Sequence, residues 1–404
     1  MTSNSTPFVE MSLSGWGAYP ILRTKVIRPE SLTALSRTVK EELNSTILAR
    51  GKGRSYGDAS INDCAYTILS ERLNRLLSFD KETGVLTCES GVTLEDILHV
   101  FTPKGWFLPV TPGTKQVTIG GCLACDVHGK NHHVDGSFSS FVRSFKIILA
   151  SGDEIECARD VNEDLFWATV GGMGLTGIVT EVTLRLVPIE TAFVHRHSLK
   201  SSHLSETLEL FNQHEPHYQY SVAWIDCLAK GRQLGRSILM LGNHARVEEL
   251  PSIRQNVPFA VRNRRVLQVP FAMPSTLLNS ASINLFNSLF YASHVSREAH
   301  QIISYDSFFY PLDALKDWNK LYGKRGFVQY QCVFPQEGGQ VALTKMLLLS
   351  SKRQQGSFLA VLKRFGPQEG WLSFPMPGYT LTLDMPVKDG LREFVYELDQ
   401  MVIE

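Results

Sequence analysis

Ala49-Arg-Gly-Lys-Gly-Arg-Ser-Tyr-Gly-Asp58 is the stretch on which the fold turns. The apolar run Thr46-Ile-Leu-Ala49 leads into it and reads as a buried strand. Gly51, Gly53 and Gly57 then let backbone N–H groups turn toward an anion with no Cβ in the way. Arg54 and Ser55 add side-chain donors. No Gly-Lys-Ser/Thr closes the loop, so it is not a Walker A sequence. Taken alone, it fits a phosphate cradle and a plain tight turn equally well.

A second loop of the same kind follows, Pro112-Gly-Thr-Lys-Gln-Val-Thr-Ile-Gly-Gly121. Two glycine-bearing loops in one domain point to a ligand with more than one phosphate; two surface turns are the plainer reading. Gly172-Met-Gly-Leu-Thr-Gly177 matches the spacing G-x-G-x-x-G. That fingerprint must follow a strand and open a helix. Here it precedes the strand-like Ile178–Val187, which excludes a Rossmann site and the simplest nicotinamide enzyme.

Between these loops lies Cys122-Leu-Ala-Cys125-Asp-Val-His128. Structural zinc needs four ligands, usually from a second pair at similar spacing. His132 and His133 lie close, but the segment is glycine-flanked and apolar inside, so two small buried thiols are expected, with a metal site or a thioredoxin-like redox pair as the lesser alternatives. His128-Gly-Lys-Asn-His-His133 is costly to bury, and histidine is the natural proton-transfer group near neutral pH. A surface loop is the alternative.

Around the loops, Leu32, Leu35 and Val39 recur at helical spacing after Pro29. Val85–Glu89 reads as a strand, Thr93 as the cap of a helix carrying Leu94, Ile97 and Leu98, and Phe145–Ala150 as another strand. Near residue 190 glycine thins out and aromatic and amide residues become frequent. A domain boundary is placed there, giving 1–190 and 191–404. In the second part, alternation in Gly326–Phe334 puts Gln329 and Gln331 on one face and Tyr330 on the other. That face could line an amide-rich pocket or bond a neighbouring strand. Lys363 follows five apolar positions, and either points inward or snorkels. Trp224 reads more readily as core than as ligand wall.

The 404 residues allow two to three domains. Forty basic residues balance 40 acidic ones, which disfavours a nucleic-acid binder working by phosphate attraction. Hydrophobic residues at 43% and charged residues at 20% exclude a disordered chain. No apolar run reaches the roughly 20 residues of a membrane span, and the N-terminus does not read as a signal peptide. Seven scattered cysteines suit a reduced, cytoplasmic setting.

ARGKGRSYGD, PGTKQVTIGG, ACDVHGKNHH and FWATVGGMGLTGI, in this order, resemble the FAD-linked oxidases of the vanillyl-alcohol oxidase type. SVAWID, FVQYQCVFP, LKRFGP and LSFPMPGY extend the resemblance, more closely, to the decaprenylphosphoryl-β-D-ribose 2′-oxidase family. The resemblance implies an α+β fold: a PCMH-type FAD-binding domain and an α/β substrate domain with an antiparallel sheet. It implies FAD-dependent oxidation of the 2′-hydroxyl of a polyprenyl-phospho-β-D-ribose to the keto sugar. A partner NAD(P)H-dependent keto-sugar reductase would then complete epimerisation to the arabinose form.

The same resemblance assigns residues. Arg50, Gly51, Lys52, Gly53, Arg54, Ser55, Tyr56, Gly57 and Asp58 would hold the pyrophosphate, with Gly113, Thr114, Thr118, Ile119, Gly120 and Gly121 on the other side. Cys125, Asp126, Val127, His128, Gly129, Asn131 and His132 would lie along the isoalloxazine, and Gly172, Gly177 and Val179 would pack on the cofactor. His128, Tyr56, Gln329, Gln331 and Lys363 would be catalytic, and Trp224, Phe309, Phe365 and Thr382 would meet substrate. Many oxidases of the wider superfamily attach flavin through a histidine in a G-x-G-H-S loop. Arg54 stands at that place, so non-covalent FAD is expected. Mycobacterial members carry a cysteine open to nitroaromatic electrophiles where this chain has Thr382, so resistance is expected.

The polyprenyl tail raises peripheral contact with the inner membrane through Arg262–Phe290, basic then apolar; a core helix behind a basic loop is the alternative. Competing functions are another FAD-dependent sugar-alcohol or aldonolactone oxidase, and a truncated flavin-binding protein with little activity. The last of these arises because the chain ends at Glu397–Glu404 in helix-like sequence, without the family's C-terminal return to the FAD domain.

Overall fold

The computed structural model describes residues 7–41, 45–262, 264–274 and 276–404. Two compact units emerge, and neither is one continuous run of chain. The first takes residues up to Gly129, Ser137–Ile189 and a late segment, Glu369–Phe374. The second takes Lys130–Gly136, Glu190–Gln368 and Pro375–Glu404.

In the first unit a four-stranded sheet is built from Val9–Ser14, Ile21–Ile27, Tyr66–Leu69 and Ile47–Arg50, in that spatial order. Helix Leu32–Glu41 connects two of its strands and buries Leu35 and Val39, as its spacing requires. A five-stranded antiparallel sheet follows, ordered Leu76–Asp80, Val85–Glu89, Ile178–Arg185, Val142–Ile148 and Glu154–Ala158. Helix Leu94–Phe101 starts at Thr93 with a reciprocal cap. The Thr93 N–H donates to Asp96 at 2.9 Å, and the Asp96 N–H donates to Thr93 Oγ1 at 3.1 Å. Such a cap contributes about 1 kcal/mol. The Gly172–Gly177 fingerprint does lie directly before strand Ile178–Arg185, the wrong context for a dinucleotide-binding helix.

The second unit is organised on a seven-stranded antiparallel sheet. Its order is Glu298–Ser304, Phe193–Ser201, Ser237–His244, Tyr220–Ile225, Val361–Phe365, Gly378–Pro386 and Phe327–Pro335. One face holds Ala223, Ile225, Cys332, Phe334, Leu362, Leu381 and Leu383, packed with Leu343, Met346 and Leu347 of helix Gln336–Arg353 and Phe394 of helix Leu391–Ile403. Burying each large side chain stabilises the unit by about 1.5–3 kcal/mol. The other face of the same central strands is polar, and alternation makes the two faces inseparable: apolar anchoring below fixes what stands above.

Candidate active site

The first unit builds a cradle from its two glycine loops. Gly53 and Gly57 adopt φ of +59° and +64°, where a side chain would be strained. Gly15 backs the first loop so closely that a Cβ there would meet the Ser55 and Gly57 carbonyls at 2.5 and 2.6 Å. Gly51 lies against Thr118, the cap of helix Ile119–Ala124, so the two loops converge. A Cβ on Gly57 or Gly113 would meet no atom within 4 Å: both loops offer bare backbone to open space. The Arg54 guanidinium stacks 4.1 Å from the Trp16 ring centroid. Tyr56 is half-buried, whereas Lys52 and Asp58 are exposed.

Several expected cofactor residues have side chains committed to the protein itself. Arg50 donates to the Ser14 carbonyl at 2.7 Å and to Ser60 Oγ at 3.0 Å, and closes the space beneath Gly53. The buried Asp126 carboxylate accepts from Ser137 Oγ at 2.7 Å and the Ser139 N–H at 2.9 Å, and from Ser373 Oγ. Buried polar groups must find partners, so these side chains shape the loops. Their place in the cradle is the course of the backbone. The Ser373 bond, with Arg159–Glu369 at 2.7 Å, also ties the late segment Glu369–Phe374 into this unit. His128 lies there too, half-buried, its ring 5.9 Å from Phe374. Ile119 and Val179 are core, Gly129 is buried, and Val127 accepts from the Phe138 N–H at 2.9 Å. Gly172 and Gly177 have no room for a Cβ, meeting the Ala168 and Ile148 carbonyls at 2.2 and 2.5 Å. Cys122 and Cys125 are free thiols whose acidity burial suppresses, so neither suits redox exchange.

The second unit carries a polar site on its central strands. Register pairs Gln329 with Asp384, Gln331 with Thr382 and Lys363 with Thr380, and antiparallel partners share a face. Trp224 joins them through Val361. Gln329 donates to Asp384 at 2.8 Å, and Gln331 donates to Thr380 Oγ1 at 3.0 Å. Lys130 enters from its loop, donates to the Phe309 carbonyl at 3.2 Å and lies over the Phe308 and Phe309 rings. Burial brings the Lys130 amine down to about 8. Burial, then repulsion from Lys130, brings Lys363 down to about 7. Burial pushes the Asp384 carboxyl up to about 7. Two amines whose charge burial disfavours, set on one polar face, suit an anion, because an anion there favours the charged form of both.

The expected isoalloxazine residues Asn131 and His132 fall in this unit. Asn131 donates to Asp135 at 2.6 Å. The His132 ring accepts from the Gly366 N–H at 3.2 Å and meets Gln368 at 2.8 Å, which fixes the end of the Lys363 strand. Phe365 packs on that ring at 4.4 Å. Trp224 donates to the Phe358 carbonyl at 3.1 Å and, like Phe309, is buried. Sequence reasoning missed Lys130, Thr380 and Asp384. Thr380-Leu-Thr-Leu-Asp384 alternates visibly, and Lys130 sits inside a stretch already marked as costly to bury.

Comparison with known proteins shows the family of the chain. Residues 24–158 match the FAD binding domain family. Decaprenylphosphoryl-beta-D-ribose oxidase of Mycolicibacterium smegmatis is 37% identical, over all of this chain and 89% of that protein. The chain belongs to the decaprenylphosphoryl-β-D-ribose oxidase family. A putative D-arabinono-1,4-lactone oxidase of Neurospora crassa is 26% identical over 43% of this chain and 31% of its own length. The solved xylooligosaccharide oxidase from Myceliophthora thermophila, in complex with xylobiose, shares the fold: TM-score 0.65, 14% identity, 94% of this chain and 80% of that one. The expected α+β, vanillyl-alcohol-oxidase-like fold is therefore right. Like its relatives, the decaprenylphosphoryl-ribose-oxidase-type chain is an FAD-dependent oxidoreductase. The residues present fit FAD: bare backbone at Gly57 and Gly113 faces open space, and two loops converge where a diphosphate needs donors. Among the described residues no helix is long and apolar enough to cross a membrane.

Proposed function

We propose that the chain oxidises the 2′-hydroxyl of a polyprenyl-phospho-β-D-ribose to the 2′-keto sugar with non-covalently held FAD. The observation that carries the substrate class is the Lys130–Lys363 pair beside Gln329 and Gln331: two amines for a phosphodiester, two amides for sugar hydroxyls. Arg54 cannot form the covalent flavin link that a histidine makes, and its guanidinium instead stacks on Trp16. Bound FAD supplies the hydride acceptor.

The rest falls to the protein. Gly51–Gly57 and Gly113–Gly121 hold the diphosphate through backbone N–H groups. Lys130 and Lys363 anchor the substrate phosphate, which leaves the ribose to Gln329 and Gln331. On the first unit, His128 is the group for the 2′-hydroxyl proton, and Tyr56 is a further hydroxyl donor of the first glycine loop. A keto sugar released here needs a separate NAD(P)H-dependent reductase to complete an epimerisation. Exposed Phe271, Leu285, Phe286 and Leu289, which follow the basic Arg262 and Arg265 in the chain, suit peripheral contact with an anionic inner membrane, where a polyprenyl tail resides. Anaerobic addition of a polyprenyl-phospho-ribose should bleach the bound flavin, and an aldonolactone should not. The reverse pattern refutes the assignment.

A further inference from the structure

A separate cluster of metal-ligating side chains stands at the edge of the seven-stranded sheet, and none of its residues is among those assigned above. Strand Glu298–Ser304 is the edge strand, and its register sets His300 directly opposite His197. Glu298 lies two residues before His300 and therefore on the same face. One ligand atom from each of His197, Glu298 and His300 lies within 4.8 Å of the other two. The Glu298 carboxylate stands between the imidazoles, 2.8 Å from His197 Nε2 and 3.4 Å from His300 Nε2. The two rings are stacked at 4.1 Å.

We propose that His197, His300 and Glu298 form a binding site for one borderline divalent cation, Zn2+ by preference. Two imidazoles and a carboxylate are an established zinc donor set, and hard cations such as Mg2+ and Ca2+ prefer all-oxygen shells. His197 is the fixed ligand. It is only 3% exposed, and Tyr218 Oη lies 2.9 Å from its Nδ1, which orients the ring and leaves Nε2 toward the site. A hydrogen bond of this kind to the outer ring nitrogen is the usual support of a metal-binding histidine. Glu298 and His300 are exposed and free to close by the short distance an ion requires, and water completes the shell. On binding, each Nε2 lone pair goes to the ion, and the ring proton resides on Nδ1, in His197 facing the Tyr218 oxygen. The consequence is mechanical: the ion fastens the edge strand to strand Phe193–Ser201.

The test uses the untagged, FAD-loaded full chain with thiols reduced. Equilibrium dialysis against micromolar ZnCl2, with metal counted per chain, should give one bound zinc, and zinc should raise the melting temperature. His300→Ala and Glu298→Gln, at exposed positions, should keep flavin content and metal-free melting temperature. Both should bind zinc at least about 10-fold more weakly, and Tyr218→Phe about 10-fold more weakly, through loss of the orienting hydrogen bond. Absence of stoichiometric zinc in the parent chain overturns the proposal. So does unchanged binding in His300→Ala and Glu298→Gln.

Discussion

Replacing Lys363 with methionine separates what this side chain does for function from what it does to stability. Methionine keeps the unbranched apolar stem and removes the amine. In the folded chain that amine falls from 10.5 to about 7. Such a fall corresponds to roughly 5 kcal/mol of penalty on the charged form. The side chain is partly open to solvent, which screens the charge, so about 2 kcal/mol is the working expectation at pH 7. The sign follows from proton counting. Between pH 7 and 10.5 the unfolded chain holds the lysine proton and the folded chain does not, so wild-type stability rises with pH in that window. Lys363→Met should therefore melt several degrees higher than wild type at pH 7, with the gap closing toward pH 10. Substrate binding should move the other way. Loss of a charge-assisted bond to phosphate, roughly 1.5–3 kcal/mol, raises the substrate concentration for half-maximal flavin reduction about 10- to 100-fold. Thermal melts across pH and single-turnover flavin bleaching read both effects. A variant less stable than wild type at pH 7, with unchanged substrate dependence, refutes the reasoning.

Three further outcomes are expected. Acid precipitation should release all flavin to the supernatant, because Arg54 replaces the attaching histidine; flavin in the washed pellet contradicts this. Incubation with nitroaromatic electrophiles during turnover should leave the intact mass unchanged. Thr382 on the polar face has no thiolate, and nearby Cys332 belongs to the opposite face, its thiol pushed up to about 12 by burial. The triple change Leu285→Ser, Phe286→Ser and Leu289→Ser should abolish flotation with anionic vesicles while leaving flavin content intact; undiminished flotation excludes the proposed bilayer contact through these residues.

The two sites were legible in the sequence to different degrees. The flavin cradle is made by short loops whose glycines announce themselves locally: Gly51, Gly53, Gly57 and Gly113 needed no knowledge of distant strands. Local reading could not tell that Arg50, Asp126 and His132 have inward partners, because those partners lie at Ser14, Ser373 and Gln368. The substrate-side face is a matter of register. Alternation alone put Gln329 and Gln331 together, but strand order brought Lys363 beside Thr380 and Asp384 opposite Gln329. The His197–His300 pairing is of the same kind: residues about a hundred positions apart meet only through antiparallel pairing. The late segment Glu369–Phe374 joining the first unit was likewise invisible to a boundary drawn near residue 190.

The central claim is that hydride leaves the carbon bearing the 2′-hydroxyl of a phosphoribose. Anaerobic stopped-flow of the FAD-loaded chain with a polyprenyl-phospho-β-D-ribose and with its 2-deoxy analogue tests it directly. The account predicts full flavin bleaching with the ribose and none with the analogue, although both bind. Equal bleaching by the 2-deoxy compound would contradict it.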